Sequence, residues 1–369
     1  NALRCICLRY SLDGGLNMLS KVVSFEKAMP VWAEGLEKEM NISVLFCCEM
    51  NISGEACDSD IDAVLKITGS NTYFIKINGE FFATGPARAG HGYYRVDELQ
   101  IGKKLHKGVN KIDILVAGYN INSFCWIDQP AFLCSELIVN GELKLWTSPD
   151  SNDFKGYIYN ERIVKVQRYS FQRNFAEVYD FNNRTDFSAP VKLIKAEAEE
   201  KIFIERGIFY PEYEKESAKK IVCKGDVLSS EKNNYYFDRA IENIGVELKG
   251  FAKDELDVCS VWEAQKLDFI PDSYEELENA PVNYKKNSFV VYDMGKNCNG
   301  HIGFNVSCNE TVTVYALFDE IVLNGDVNKI DITRLTCSNV VMWTLPAGEH
   351  CLLSFEPYVF RYLRIAVVN

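Results

Sequence analysis

The sequence is poor in histidine, and its cysteines lack the spacing of a metal site. Among 369 residues there are 4 histidines and 13 cysteines, with no Cys-x-x-Cys pair. Zinc sites in proteins depend on regularly spaced cysteine and histidine ligands, and an odd number of cysteines excludes complete pairing within one chain. We therefore predict no zinc site and no disulfide framework, but buried or half-buried free thiols in a reducing compartment.

Long hydrophobic runs and an excess of basic residues are also missing. The apolar stretch Cys5–Leu8, between Arg4 and Arg9, is too short for the core of a signal peptide or for a membrane span. The net charge of -12 argues against a nucleic-acid partner, because binding to phosphates needs a basic face. The sequence thus predicts no membrane and no nucleic-acid partner, and together with the free thiols it indicates a cytoplasmic location.

Motifs of the common enzyme classes are absent as well. There is no Gly-x-Ser-x-Gly elbow, no phosphate-binding loop and no dinucleotide fingerprint, and helical periodicity is sparse. The chain offers instead a series of short alternating strands, such as Ile42–Glu49 and Tyr73–Ile77, and the hairpin signals Asn78-Gly79 and Asn140-Gly141. The predicted fold class is all-β, with two jelly-roll or galactose-binding-like β-sandwich domains and short helical insertions.

The length of the chain suggests two domains, and a polar stretch near its middle separates them. Residues 1–41 form a lead-in segment, 42–180 the N-terminal sandwich and candidate carbohydrate-binding domain, 181–200 a linker, and 201–369 the second sandwich. The local sequence pattern also predicts the secondary structure of four further segments. We predict a short helix near Ala33–Met40, one or two long strands over Arg162–Tyr179, and surface loops or short helices at Glu212–Lys220 and Asp272–Asn279.

Two polar and aromatic clusters stand out, one from Gly85 to Tyr94 and one from Gly118 to Pro130. A sugar presents a flat C–H face that stacks on an aromatic ring, and hydroxyl groups that pair with planar polar side chains. Both kinds of side chain occur here. The candidate carbohydrate-binding residues are Arg88, His91, Tyr93, Tyr94, Tyr119, Asn120, Asn122, Trp126, Asp128 and Gln129. The alternative for the aromatic members is packing in the core or between domains.

Acidic residues are the other group that could carry chemistry. The candidates are Asp97-Glu98, Asp128, Asp319-Glu320 and Glu356. The simpler interpretation is that each carboxylate caps a loop or pairs with an arginine. Asp319 and Glu320 are adjacent in a predicted strand, so their side chains should point to opposite faces. Structural calcium at Asp97 or Asp128 is a weaker alternative, because no acidic cluster has calcium-loop spacing, and we predict no cofactor.

Several stretches resemble one family of enzymes. In the first half they are Ile77-Asn78-Gly79, Gly85–Glu98, the turn and strand Lys107–Ile112, Ser123–Leu133 and Gln167–Arg173; in the second half they are Tyr292–Gly300, Phe318–Glu320 and Phe355–Arg364. Taken together, these stretches are similar to the N-terminal, non-catalytic β-sandwich region of bacterial α-L-rhamnosidases, a family of glycoside hydrolases.

The resemblance implies a function for the chain but assigns no chemistry to it. Hydrolysis in this family is inverting and uses two carboxylic acids in a helical (α/α)6 barrel. This sequence has no such series of helices, so no catalytic residue is assigned and the chain alone is predicted to be inactive. It would support the catalytic barrel of the same parent chain and hold a rhamnose-containing glycan or glycoside. The alternatives are a free-standing carbohydrate-binding module and a structural β-domain that forms homo-oligomers.

Overall fold

A computed structural model describes residues 4–9, 21–53, 61–242, 244–245, 247–274, 277–278 and 280–369. Over these ranges the chain is all-β, as predicted, with one short α-helix. The strands in chain order are β1 Arg4–Arg9, β2 Val31–Ala33, β3 Ile42–Ile52, β4 Ala63–Gly69, β5 Tyr73–Ile77, β6 Glu80–Gly85, β7 Tyr93–Gln100, β8 Gly108–Gly118, β9 Leu133–Val139, β10 Glu142–Trp146, β11 Lys155–Ile158, β12 Glu177–Asp180, β13 Leu193–Lys195, β14 Ile202–Glu205, β15 Glu212–Ser217, β16 Lys220–Ser229, β17 Leu267–Ser273, β18 Leu277–Glu278, β19 Ser288–Cys308, β20 Val312–Asp319, β21 Val340–Leu345, β22 Gly348–Leu353 and β23 Tyr358–Val368. The helix is α1 Ser260–Gln265, and short 3-10 turns lie at Gly102–Lys104, Lys253–Glu255, Leu323–Gly325 and Arg334–Thr336. No helix in the described ranges is long and apolar enough to cross a membrane.

Contacts between residues group the chain into two compact units. Unit A contains Ser11–Asn160 and Thr185–Tyr210, and unit B contains Asn1–Tyr10, Glu161–Arg184 and Pro211–Asn369. The predicted domains meet at a linker over 181–200, whereas the contacts place 161–184 in unit B and 185–210 in unit A. The two divisions of the chain differ over these segments, and the predicted domain boundaries remain a prediction.

Unit A is a sandwich of two β-sheets. One sheet has the strand order β11-β3-β8-β5-β6, and the other has the order β13-β2-β9-β4-β7-β14, with β10 paired to β9. Buried and less buried side chains alternate along part of β3, where Val44 and Phe46 are fully buried, as the two-residue period of a strand requires. The ring of Phe46 lies 5.8 Å from the ring of Trp32 on β2, so the sheets bury their apolar faces against each other.

Both Asn-Gly hairpins predicted in this unit are present. Asn78 and Gly79 join β5 to β6, and Asn140 and Gly141 join β9 to β10. All of these turn residues have positive φ, between 51° and 82°, a conformation that Asn and Gly adopt more readily than other residues. The hairpin predictions are confirmed.

Unit B is organised around β19, a strand of 21 residues. Its main sheet has the order β12-β21-β20-β23-β19-β1-β15, and β16 pairs with β17, β18 and β19. The register of β19 against β23 shifts between Asp293 and Cys298, and the end of β19 pairs with β22 instead. A bulge of this kind bends a strand, which lets one long strand serve successive partners. Phe289 of β19, Leu317 of β20 and Ala264 of α1 belong to one buried core.

Two predictions of local helix or loop structure are wrong. Ala33–Met40 is not helical, because β2 ends at Ala33 and Gly35 turns the chain with a φ of 79°. Glu212–Lys220 and the described part of Asp272–Asn279 contain strands that pair with β1 and β16. Exposed and half-buried positions alternate along most of β17 and at the start of β15, so one face of these stretches is solvated and the pattern resembles a polar loop.

The prediction of long strands over Arg162–Tyr179 is also wrong. In this range only β12, which begins at Glu177, is a named strand, and the rest contributes isolated bridges. Arg168 is fully buried, and its guanidinium donates to the carbonyl oxygens of Arg173 and Lys249. An arginine that turns inward to satisfy backbone carbonyls interrupts the regular alternation of a strand. In the predicted lead-in 1–41, residues 1–3 and 10–20 lie outside the described residues, and the remainder includes β1 and β2.

Candidate functional site

A small pocket in unit A brings together residues from both polar and aromatic clusters. It lies beside the C-terminal end of β4 and the N-terminal end of β7 and has a volume of about 110 Å³. Of the candidate residues, His91, Tyr93, Tyr94, Trp126 and Gln129 line it. We call this cavity the Trp126 pocket.

Gln129 forms the polar floor of the pocket. Its Oε1 accepts hydrogen bonds from the Tyr94 hydroxyl at 3.0 Å and from Lys201 Nζ at 2.7 Å. Its Nε2 donates to the carbonyl oxygen of Ser70 at 2.9 Å. Because the carbonyl end of the amide meets only donors and the amino end meets an acceptor, the orientation of this side chain is fixed.

Lys201 is the main residue of the pocket that the sequence analysis missed. Its side chain is only 7% exposed and forms an ion pair with Glu199 at 2.9 Å. Its Nζ also lies 4.7 Å from the centroid of the Tyr94 ring, within the range of a cation–π interaction. Burial, with a smaller contribution from Glu199, raises the pKa of the Tyr94 hydroxyl. Tyr94 therefore remains a neutral donor to the floor amide.

The wall that carries Trp126 is held by short polar side chains. Ser123 Oγ accepts hydrogen bonds from the backbone N–H groups of Cys125 at 3.2 Å and Trp126 at 3.1 Å. Asn122 Oδ1 accepts one from the N–H of Asp128 at 2.8 Å. Such local bonds replace those of regular structure in a tight loop. Asn122 and Asp128 thus shape the wall but do not line the pocket.

Arg95 also lines the pocket and holds the loop that carries His91. Its Nε donates to the carbonyl oxygen of Arg88 at 2.9 Å, and its Nη1 donates to the carbonyl oxygens of Glu205 at 3.2 Å and Arg206 at 2.6 Å. These bonds tie the loop that presents His91 to the end of β14. The side chain of Arg88 is exposed and does not line the pocket.

Tyr119 and Asn120 lie in the interior rather than in the pocket. Tyr119 is fully buried, and its N–H donates to Asn71 Oδ1 at 3.0 Å. Asn120 Nδ2 donates to the carbonyl oxygens of Glu37 at 2.7 Å and Glu39 at 3.1 Å. For these two candidates, the structure provides packing and loop-holding roles within unit A.

Asp97 pairs with an arginine, as the simpler interpretation of the acidic candidates predicts. Its carboxylate is fully buried and accepts hydrogen bonds from Arg206 Nη1, at 2.8 Å, and from the Tyr73 hydroxyl. Burial raises the pKa of Asp97, whereas the Arg206 guanidinium and the Tyr73 hydroxyl act in the opposite direction. Gly85 lies directly against this group, and a Cβ at that position would overlap the Tyr73 hydroxyl and the Asp97 carboxylate.

Substitution of Gly85 tests how closely this buried group is packed. We expect Gly85→Ala to lower the free energy of unfolding by about 1–3 kcal/mol, because an added methyl group in a filled site forces its neighbours apart. The matched control is Gly90→Ala, where a Cβ would meet nothing within 4 Å and the change should stay within about 0.5 kcal/mol. Urea denaturation measures both, and equal stability of the two variants would contradict the close packing at Gly85.

The acidic candidates in unit B also have structural partners. Arg334 Nε donates to Asp319 Oδ1 and Oδ2 at 2.7 Å each, and its Nη2 donates to Glu320 Oε2 at 2.7 Å. Both carboxylates therefore bind the same guanidinium, and the prediction that Asp319 and Glu320 point to opposite faces is wrong. The reason is that β20 ends at Asp319 and Glu320 lies beyond the strand. Glu356 accepts a hydrogen bond from Asn174 Nδ2 at 3.1 Å.

The chemistry available in the Trp126 pocket is that of binding. None of the described residues that line it is Asp or Glu, so the pocket lacks the pair of carboxyl groups that glycoside hydrolysis requires. Within the described ranges, no group of three or more His, Cys, Asp or Glu residues could hold a metal ion. The pocket can stack an apolar face on its aromatic rings and exchange hydrogen bonds with hydroxyl groups.

Comparisons with known proteins bear on the fold. No family model and no curated protein matches the sequence. Among solved structures, the GH78 family rhamnosidase of Bacillus sp. GL1 superposes with a TM-score of 0.68 at 14% sequence identity, over 94% of this chain and 54% of that one. The α-L-rhamnosidases of Dictyoglumus thermophilum and Aspergillus terreus each give a TM-score of 0.50, at 15% and 14% identity, over 95% and 93% of this chain and 34% and 36% of theirs. The chain spans about half the length of the Bacillus protein, and the predicted resemblance to this region of rhamnosidases is confirmed for the fold.

Proposed function

We propose that this chain is a non-catalytic accessory region of an α-L-rhamnosidase-like glycoside hydrolase. In this proposal it supports a catalytic domain of the same parent chain, and its Trp126 pocket binds a sugar of a rhamnose-containing glycan or glycoside. The free cysteines of the described ranges support the proposed reducing, cytoplasmic setting. The fold shared with solved rhamnosidases favours the accessory role over an unrelated one.

One observation carries the binding part of the proposal. Trp126 and Tyr93 line the same cavity as Gln129, whose amide is held by Tyr94 and Lys201. Aromatic walls above a fixed amide match the apolar face and the hydroxyl groups of a pyranose. The volume of about 110 Å³ lies well below the ~300–1,000 Å³ of sites for larger ligands, which favours contact with one sugar ring over an extended chain.

The binding part is tested by titrating the chain with L-rhamnose and a panel of other neutral monosaccharides, followed by NMR. We expect saturable shifts with L-rhamnose. Trp126→Ala should weaken binding by about tenfold or more, because removal of a central aromatic anchor in a binding site typically exceeds 1 kcal/mol.

The same loop supplies the control. Phe124 is 71% exposed and does not line the pocket, so Phe124→Ala should leave the affinity unchanged. Absence of shifts with every monosaccharide at tens of millimolar would overturn the sugar-binding proposal and leave a scaffolding role. Hydrolysis of an aryl rhamnoside by this chain alone would instead overturn the non-catalytic assignment.

A free-standing carbohydrate-binding module is the second candidate, because the pocket is complete within unit A. The two candidates differ in what accompanies the chain. Purification of the native protein with an intact-mass measurement separates them. A mass near 42.0 kDa would favour the free-standing module. A mass larger by that of a further domain would favour the accessory region.

A further inference from the structure

Unit A has a second concave surface, beside strands β3, β8 and β11 of its five-stranded sheet and Leu145 of β10. This groove has a volume of about 510 Å³, and its lining includes Glu49 of β3, Lys111 of β8, Lys155 and Tyr157 of β11, and Phe187. We call it the Phe187 groove. It shares no lining residue with the Trp126 pocket.

The register of the sheet places the charged residues of the groove on one face. Glu49 lies opposite Lys111, Cys47 lies opposite Asp113, and Lys155 lies opposite Cys47. Residues that face each other across an antiparallel pair project to the same side. Neighbouring positions such as Phe46 project into the core, so Glu49, Lys111 and Lys155 lie on the outward face of the sheet.

An exposed phenylalanine that packs on a buried tyrosine lines the groove. Phe187 is 55% exposed, and its ring centroid lies 5.2 Å from that of Tyr157, with an interplanar angle of 58°. Lys111 Nζ lies 5.3 Å from the Phe187 ring centroid. Aromatic side chains are common in the lining of ligand pockets.

The charges in the groove are balanced. Glu49 and Asp153 supply carboxylates, and Lys111 and Lys155 supply ammonium groups. Lys111 also pairs at 3.3 Å with Asp113, which does not line the groove. Carboxylates only accept and ammonium groups only donate, whereas a hydroxyl group does both. A neutral polyhydroxylated ligand can therefore bind to carboxylate and ammonium groups alike, while an ionic ligand would meet charge of its own sign.

We propose that the Phe187 groove is a second binding site, for a neutral oligosaccharide. The exposed Phe187 ring, supported from below by Tyr157, contacts the C–H face of one sugar ring, and the charged side chains bind the hydroxyl groups of that ring and the next. The groove is several times larger than the Trp126 pocket and falls within the ~300–1,000 Å³ of sites for larger ligands. The ligand is therefore an extended chain rather than a single sugar.

The test uses the whole chain and a panel of linear neutral oligosaccharides: cellopentaose, xylopentaose, mannopentaose, maltopentaose and an α-linked rhamno-oligosaccharide. Isothermal titration calorimetry is expected to detect binding of at least one of them. Phe187→Ala should weaken that binding by about tenfold, as for truncation of an aromatic anchor. Phe237→Ala, which removes a side chain of similar exposure, 52%, in unit B, should not change it.

Separate variants distinguish this groove from the pocket. Phe187→Ala should leave the response to L-rhamnose intact, and Trp126→Ala should leave the oligosaccharide affinity within about twofold, since distant independent sites behave additively. Absence of L-rhamnose binding at the Trp126 pocket would therefore not contradict the proposal for the Phe187 groove. Lack of binding to all five oligosaccharides, insensitivity to Phe187→Ala, or tighter binding of pentagalacturonate that weakens with salt would overturn the proposal.

Discussion

Replacing Arg206 with methionine is expected to lower the free energy of unfolding of unit A by about 3–5 kcal/mol. The guanidinium contacts Asp97 at 2.8 Å, and the Asp97 carboxylate has no exposed surface. Removing the cation leaves a buried carboxylate whose charge is no longer compensated, and that desolvation penalty is the reason for the large loss. Hydrogen exchange of the β7 amides over a series of urea concentrations measures the local opening free energy directly.

Two further variants separate the buried pair from ordinary surface charge. Lys192 and Glu34 form an exposed ion pair at 2.5 Å, and Lys192→Met should cost less than about 1 kcal/mol. The double variant Asp97→Leu/Arg206→Met should recover most of the loss, because apolar replacement of both partners removes the uncompensated charge. A single-variant loss no larger than that of Lys192→Met would show that the pair contributes little to the stability of unit A.

The sequence predicts the type of partner for Asp97 but not its identity. An acidic residue in a strand rich in apolar neighbours is most simply paired with an arginine, and this is what the structure contains. The partner lies 109 positions away and arrives through the parallel pairing of β14 with β7. Periodicity within a segment predicts its secondary structure but does not indicate which distant segment pairs with it. For the same reason, Lys201 is absent from the sequence-based candidate list.

Local sequence patterns predict the structure well where it depends on the backbone conformation of a few adjacent residues. The Asn-Gly hairpins follow from the positive φ of two adjacent residues, which is a local property. The candidate list for the pocket follows from two loops, and it includes the aromatic residues that line it. It also includes Tyr119 and Asn120, because the contacts that hold them in the interior come from residues far away in the sequence, such as Asn71 and Glu37. Composition alone cannot separate an aromatic in a pocket from one in the core.

Replacing Glu177 with alanine is expected to lower the free energy of unfolding of unit B by about 3–5 kcal/mol. Glu177 is fully buried, and four donors converge on its carboxylate. Oε1 accepts from the Glu356 N–H and the Tyr358 hydroxyl, both at 2.8 Å, and Oε2 accepts from the Phe355 N–H at 2.7 Å and from the Tyr179 hydroxyl. Alanine leaves all of these buried donors without an acceptor.

The isosteric variant makes the argument specific to the carboxylate. Each oxygen of Glu177 accepts one backbone N–H, from Glu356 or from Phe355, and a backbone N–H cannot reverse its direction. Whichever way the amide of Glu177→Gln is oriented, its NH2 group faces one of these donors, so a loss of about 1–3 kcal/mol is expected even though shape is kept. Tyr358→Phe, which removes a single donor, should cost only about 1 kcal/mol. Hydrogen exchange at Phe355 and Glu356 reports the effect locally, and a glutamine variant as stable as the wild type would mean that the four donors do not require a carboxylate.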